Sequence, residues 1–120
     1  MNKNHLSKRV RLLKINEFFF VFQKPQRIKV HSMTLFSRSN KLNFPRIGLA
    51  ISKKYIKHSH ERNRIKRHVR ETFRTHKHNL LSLDFILTVH SKQILSLTNN
   101  NLIEELKKLW YHYQNYQQKS

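Results

Sequence analysis

The sequence has no cysteine. That excludes a disulfide framework and a thiolate metal site, and it fits a reducing compartment. Acidic residues are also scarce: Asp and Glu number 6 against 25 Lys and Arg, for a formal net charge of +19. A nuclease centre carried by protein needs clustered carboxylates to hold its metal ions. Glu17, Glu61, Glu71, Asp84, Glu104 and Glu105 are scattered along the chain, and no nucleophile–base pair is evident. A binding protein is favoured over a self-sufficient enzyme. Long apolar runs are missing too. The longest, FFFVF at 18–22, is far short of the roughly 20 residues that span a bilayer. The N-terminal MNKNHLSKRVRLL lacks the apolar region of a secretory signal. It is basic and acid-poor, a pattern shared with mitochondrial transit segments, and cytoplasm is the expectation. No internal repeat or low-complexity linker is found.

What is present is positive charge, and polyanions are its natural partners: nucleic acid first, an anionic membrane surface second. Hydrophobic residues make up only 38%, yet eight Phe, four Tyr and one Trp supply a modest core. The 120 residues argue for one folded domain, 1–120, with a basic N-terminal arm over 1–14.

A short helix is expected near 16–23, ended by Pro25. QRIKVHSMTLFSRS at 26–39 holds two short strands, and KLNFP at 41–45 is a turn. RIGLAIS at 46–52 alternates Ile47, Leu49 and Ile51 on one face, a strand signal. A helix runs from about 61 to His76. DFILTVH at 84–90 is apolar on both phases and reads as a central strand. Thr98 or Asn99 caps a last helix whose Leu102, Ile103, Leu106, Leu109, Trp110 and Tyr113 form one broad apolar face. The order α-β-β-β-α-β-α is an α+β sandwich, a four-stranded sheet with helices packed on it.

The helix ERNRIKRHVRETFR at 61–74 raises the sharpest question. Arg62, Lys66, Arg70 and Arg74 repeat every four residues, and each such like-charge pair costs roughly 0.2–0.5 kcal/mol. Ile65, Val69 and Phe73 fall on one stripe, and a basic flank runs beside it. Solvated faces usually mix signs, and this one does not. Arg62 and Arg64 also oppose the helix dipole at the first turn, where phosphate would be welcome. Asn63 has two readings: the N-cap, or an amide that binds RNA or orients its Arg neighbours.

FFFVF is apolar all round its helix. Such a helix is buried or presents one side to a partner. Phe18 and Phe22 share a face and can stack on unpaired bases or belong to the core. Phe20 points almost opposite and is assigned to the core. His58, His60, His76 and His78 lack the spacing of a metal site, and exposed positions are expected for them.

Arg62-Asn63-Arg64, followed by Ile65-Lys66-Arg67 and Arg70 and preceded by IGLAISKK at 47–54, resembles the signature of the bacterial ribonuclease P protein subunit. RLLxxxxFxxVF at 11–22, PRIGL at 45–49 and KLW at 108–110 fall where that family has them, with the gammaproteobacterial branch most similar. The resemblance implies a partner of a large catalytic RNA, in an endoribonuclease that removes the 5′ leader of precursor tRNA. It implies that Mg²⁺ is held mainly by the RNA, with no organic cofactor, no protein metal site, and no membrane or DNA partner. By position, Arg62, Asn63, Arg64, Lys66, Arg67 and Arg70 would contact RNA, with Lys53 and Lys54 just before their helix. Phe18, Phe22 and Phe36 match the leader-binding cleft. A left-handed βαβ crossover is also implied. Two other readings compete. A structural RNA-binding protein, such as a ribosomal one, shares the charge and fold class but not the Arg-Asn-Arg block. A membrane-active basic protein leaves the strands unexplained.

Overall fold

The computed structural model describes residues 6–114. The start of the basic arm, residues 1–5 with Lys3, lies outside the described residues.

Helix α1, Ile15–Gln23, begins where the Glu17 carboxylate reaches back to the N–H groups of Leu13 and Lys14, both at 3.0 Å. That contact satisfies donors the helix itself leaves free. Pro25 follows and cannot continue the helix. Strands β1, Gln26–Val30, and β2, Met33–Ser39, form a hairpin that pairs Val30 with Met33 around His31, whose φ is 48°. Strand β3 is Arg46–Ala50, helix α2 Ser59–His76, strand β4 Leu83–Val89 and helix α3 Asn99–His112. Thr98 caps α3, its hydroxyl accepting from the Asn101 N–H at 3.1 Å.

The sheet order is β1-β2-β4-β3. β4 runs antiparallel to β2 and parallel to β3, so it is central, as expected. One face of the sheet carries Met33, Leu35, Ile47, Phe85, Leu87 and Val89 under α2 and α3. Ile65, Val69 and Phe73 of α2 are fully buried there, and so are Leu102, Leu106, Leu109 and Trp110 of α3. Phe73, Phe85 and Trp110 meet edge to face, with centroids 5.4–6.5 Å apart. Such pairs contribute about 0.5–1.5 kcal/mol each beyond their buried area. The Trp110 indole N–H donates to Thr72 Oγ1 at 2.9 Å, which locks α3 against α2.

The other face is covered by α1 and the segment leading into it. Leu12, Val21 and Ile86 form a small second core, with Phe18, Phe36 and Ala50 packed on it. Gly48, the only glycine of the chain, makes this possible. A Cβ there would stand 2.8 Å from the Phe18 ring and 3.0 Å from Leu12 Cβ. Beneath α1, Asp84 is 1% exposed and accepts Arg46 Nη2 at 2.7 Å, Arg46 Nε at 2.8 Å and Asn40 Nδ2 at 2.9 Å. Arg46 Nη1 continues to Glu17 at 3.2 Å. An ionic chain therefore joins the central strand to the first turn of α1.

One expectation, that for Phe20, needs correction, and the basic arm gains a structure: the chain is packed from Leu6 onward. Leu6, Val10 and Leu12 are buried, and Arg11 bridges to Ile47 at the open edge of β3, with the Leu12 N–H donating to the Ile47 carbonyl at 2.8 Å. The basic residues interspersed with them, Lys8, Arg9 and Arg11, mask this in the sequence. Phe20 is not core: it is 38% exposed. α1 packs on one side only, and at roughly 100° per residue Phe20 lies well round from Val21 and almost opposite Phe18, off the packed side. Arg38 covers Phe20, its guanidinium 3.9 Å from the ring centre and its Nη1 donating to the Phe20 carbonyl at 2.6 Å.

Candidate nucleic-acid interface

The cations of α2 divide into braced and free. Arg62 Nη1 donates to the carbonyls of Ile56 and Lys57 at 2.8 and 2.9 Å, holding the preceding loop. Arg64 bonds Asn99 Oδ1 at 2.6 Å and lies 3.6 Å from Glu61, tying α2 to the start of α3. Arg74 pairs with Glu71 at 2.8 Å. Among the described residues, the side chains of Asn63, Lys66, Arg67 and Arg70 have no hydrogen bond or ion pair. Asn63 lies inside the helix and is exposed, while His58 holds the N-cap position, so the capping reading fails. Lys53 and Lys54 are exposed in the turn before α2, the Lys54 N–H donating to Ser52 Oγ at 3.0 Å.

Burial and the neighbouring Arg11 charge both lower the pKa of Arg70. His68 is lowered by burial first and by Arg67 next. This flank therefore holds positive charge against its own repulsion. Glu17 is held below the usual carboxylate range by the Lys14 N–H first, then by the Leu13 N–H and Arg46, against the opposing effect of burial.

The aromatic residues form a separate surface. Phe22 meets Phe36 edge to face at 5.1 Å and is 39% exposed. Phe18 and Phe36 are half-buried against the sheet, so each ring has a packed side and an open side. Arg27 lies 5.7 Å from the Phe36 ring centre. Phe19 is 61% exposed and was missed, because FFF gives no sign of which ring faces out. A cleft of about 190 Å³ joins the two surfaces, with Phe18 and Gly48 on one side and Lys66 and Arg70 on the other. Arg11 also lines it, a residue that sequence reasoning left in the arm.

All six carboxylates have cationic partners. Glu17 and Asp84 share Arg46, and the others pair within their helices: Glu61 with Arg64, Glu71 with Arg74, Glu104 with Lys107 and Glu105 with Lys108. Among the described residues no three His, Asp or Glu stand close enough to hold a metal ion.

The family model for ribonuclease P matches residues 6–114. The chain belongs to the ribonuclease P protein family. A ribonuclease P protein component from Blochmanniella pennsylvanica is 66% identical over 113 residues, covering 94% of this chain and 98% of that one. The one from Pectobacterium atrosepticum is 48% identical over 110 residues, covering 92% of each chain. The fold agrees as well. The Staphylococcus aureus RNase P protein superposes with a TM-score of 0.79 at 25% identity, covering 86% of this chain and 94% of that one. The Arg-Asn-Arg block thus occurs in a ribonuclease P protein fold, and no helix of the described residues is long and apolar enough to cross a membrane.

Proposed function

We propose that the chain is the RNA-binding subunit of ribonuclease P, acting with the catalytic RNA to remove the 5′ leader of precursor tRNA. One observation carries the reading, given the family: unpaired cations line α2, accessible rings line α1, and every carboxylate is already paired. Asn63, Lys66, Arg67 and Arg70, with Lys53 and Lys54, hold phosphates of the catalytic RNA. Arg62 and Arg64 add the donors that their structural bonds leave free. The open sides of Phe18, Phe22 and Phe36 stack unpaired leader bases, worth about 1–3 kcal/mol per base and tolerant of any sequence. That tolerance suits leaders that differ between tRNAs and broadens the range of substrates.

The donor set of the protein does not fit a divalent-metal site, because its carboxylates are paired and dispersed. Mg²⁺ and the hydrolytic chemistry belong to the RNA in this reading. The protein contributes by neutralising phosphates, which lowers the ionic strength needed to hold two RNAs together. A cytoplasmic ribonucleoprotein is the setting.

The test is reconstitution with a bacterial ribonuclease P RNA at low Mg²⁺, scoring cleavage of precursor tRNA. Faster cleavage than by RNA alone is expected. No gain at any protein concentration would refute the proposal and leave a structural RNA-binding role.

A further inference from the structure

Arg64 belongs to the Arg-Asn-Arg block, yet its guanidinium is held from outside that block. Asn99, the first residue of α3, lies 35 positions further along the chain. Its Oδ1 accepts from Arg64 Nη1 at 2.6 Å. On the other edge of the fork, Glu61 Oε1 lies 3.6 Å from Nε. Nη2 makes no hydrogen bond among the described residues. The Arg64 side chain is 19% exposed, so the group is gripped without being sealed off. Neither capping nor helix propensity accounts for Asn99. Thr98 caps α3 through its own hydroxyl, and Asn is a poor helix former. The attachment of α3 to α2 rests on buried side chains and on the bond from Trp110 to Thr72.

We infer that Asn99 is a positioning residue for RNA recognition: with Glu61 as the opposite brace, it orients the Arg64 fork before RNA arrives. The inference rests on the RNA-binding role proposed above. A long Arg side chain loses rotamer freedom when it grips a phosphate. Held by Asn99, Arg64 loses that freedom when the protein folds, and binding is spared the cost. The planar guanidinium suits this division of donors. Nη1 turns inward to the amide, and Nη2 remains for a phosphate oxygen. A neutral acceptor is the right chemistry for the task. A carboxylate at position 99 would hold the fork as well, but it would set a second anion, beside Glu61, against the incoming phosphates. The amide oxygen leaves the positive charge of Arg64 unopposed on that side. The start of α3 thereby takes part in recognition without touching RNA.

The test measures affinity of the full-length chain for the catalytic RNA over a salt series. Asn99→Ala should weaken binding about two- to tenfold, the loss expected when one long side chain must be ordered on contact. Its salt slope should match wild type, because Arg64 still reaches its phosphate. Arg64→Ala should flatten the slope by about 0.7–0.9. Adding Asn99→Ala to Arg64→Ala should then change affinity by less than about twofold, since the side chain to be aimed is gone. Two controls separate aiming from attachment of α3. Asn100→Ala alters the next exposed amide and should bind like wild type. Thr72→Val removes the acceptor of the Trp110 indole, another hydrogen bond between these helices, without touching Arg64. It should lower the urea midpoint yet bind RNA like wild type wherever its circular dichroism is native. Asn99→Ala should do the reverse. Wild-type affinity in Asn99→Ala or in Arg64→Ala would overturn the inference. So would a loss that persists undiminished in the Arg64→Ala background, or one that Thr72→Val reproduces. Failure of the ribonuclease P reading would look different: wild type would neither bind the catalytic RNA nor raise its cleavage rate.

Discussion

Replacing Arg46 by Ala should nearly unfold the protein, although Arg46 lies at a partly exposed position. The side chain of Asp84 is 1% exposed and takes two of its three hydrogen bonds from the Arg46 guanidinium, at 2.7 and 2.8 Å. Without Arg46, Asn40 alone would face a buried carboxylate. Removing one partner of a buried ion pair costs about 3–5 kcal/mol, mostly from the charge left behind. Single domains have about 5–15 kcal/mol of stability in total, and a +19 chain with a small core belongs at the low end. The midpoint of urea unfolding, followed by far-ultraviolet circular dichroism, should fall accordingly with an unchanged slope. Adding Asp84→Asn to Arg46→Ala removes the stranded charge and should restore about 2 kcal/mol, within the range measured for coupled neighbours. Arg46→Ala within about 1 kcal/mol of wild type would refute the argument, since an uncompensated buried carboxylate cannot be that cheap. A double variant no better than Arg46→Ala would do the same.

Three further outcomes are expected. Arg67→Ala should flatten the salt dependence of affinity for the catalytic RNA by about 0.9 or less, whereas Phe22→Ala should leave it alone and weaken only leader-bearing tRNA, by roughly 1–3 kcal/mol; equal loss with leaderless tRNA would make Phe22 a packing residue. The free protein should gain helicity as sulfate is added, because anions bind the native basic flank by mass action; full helicity in anion-free, low-salt buffer would count against this. The stability contributed by Glu17, whose pKa is lowered on folding, is fully present above its unfolded value of about 4.3 and is lost as pH falls through the folded one. Acid titration of Glu17→Gln should therefore be flatter in that window, and a curve matching wild type would place Glu17 outside the ionic chain.

The elements were legible because their packing is periodic. Ile65, Val69 and Phe73 repeat at helical spacing and are all buried, and β4 is apolar on both phases because both faces of the sheet are covered, Phe85 and Leu87 lying in the main core and Ile86 in the second. The site was half legible. Residue type and spacing place Lys66, Arg67 and Arg70 on one flank, but they do not say which cations the fold itself employs. Arg64 is braced by Asn99 and Arg62 by the Ile56 carbonyl, partners set by tertiary structure. Arg11 was hidden in the same way, since its bridge partner Ile47 lies in β3, far along the sequence. Phe20 was misassigned because apolarity all round a helix does not reveal that only one side has anything to pack on.

The strand order also sets a timetable for biosynthesis. Among the described residues β3 has β4 as its only strand neighbour, and β4 is made after α2. As the chain leaves the ribosome, the β1–β2 hairpin is the one part of the sheet able to close early. At about 5–20 residues per second, the roughly forty residues from Ala50 to Val89 take about 2–8 s to synthesise. The N-terminal segment, translated first, docks on β3 and must wait with it. Long-range pairing of this kind is slow and leaves apolar surface uncovered in the meantime. For those seconds the emerged segment, aromatic and strongly cationic, lies beside a ribosome made largely of RNA. A stop codon before β4 would therefore release a sticky polycation with at most the β1–β2 hairpin paired, rather than a shorter version of the same fold.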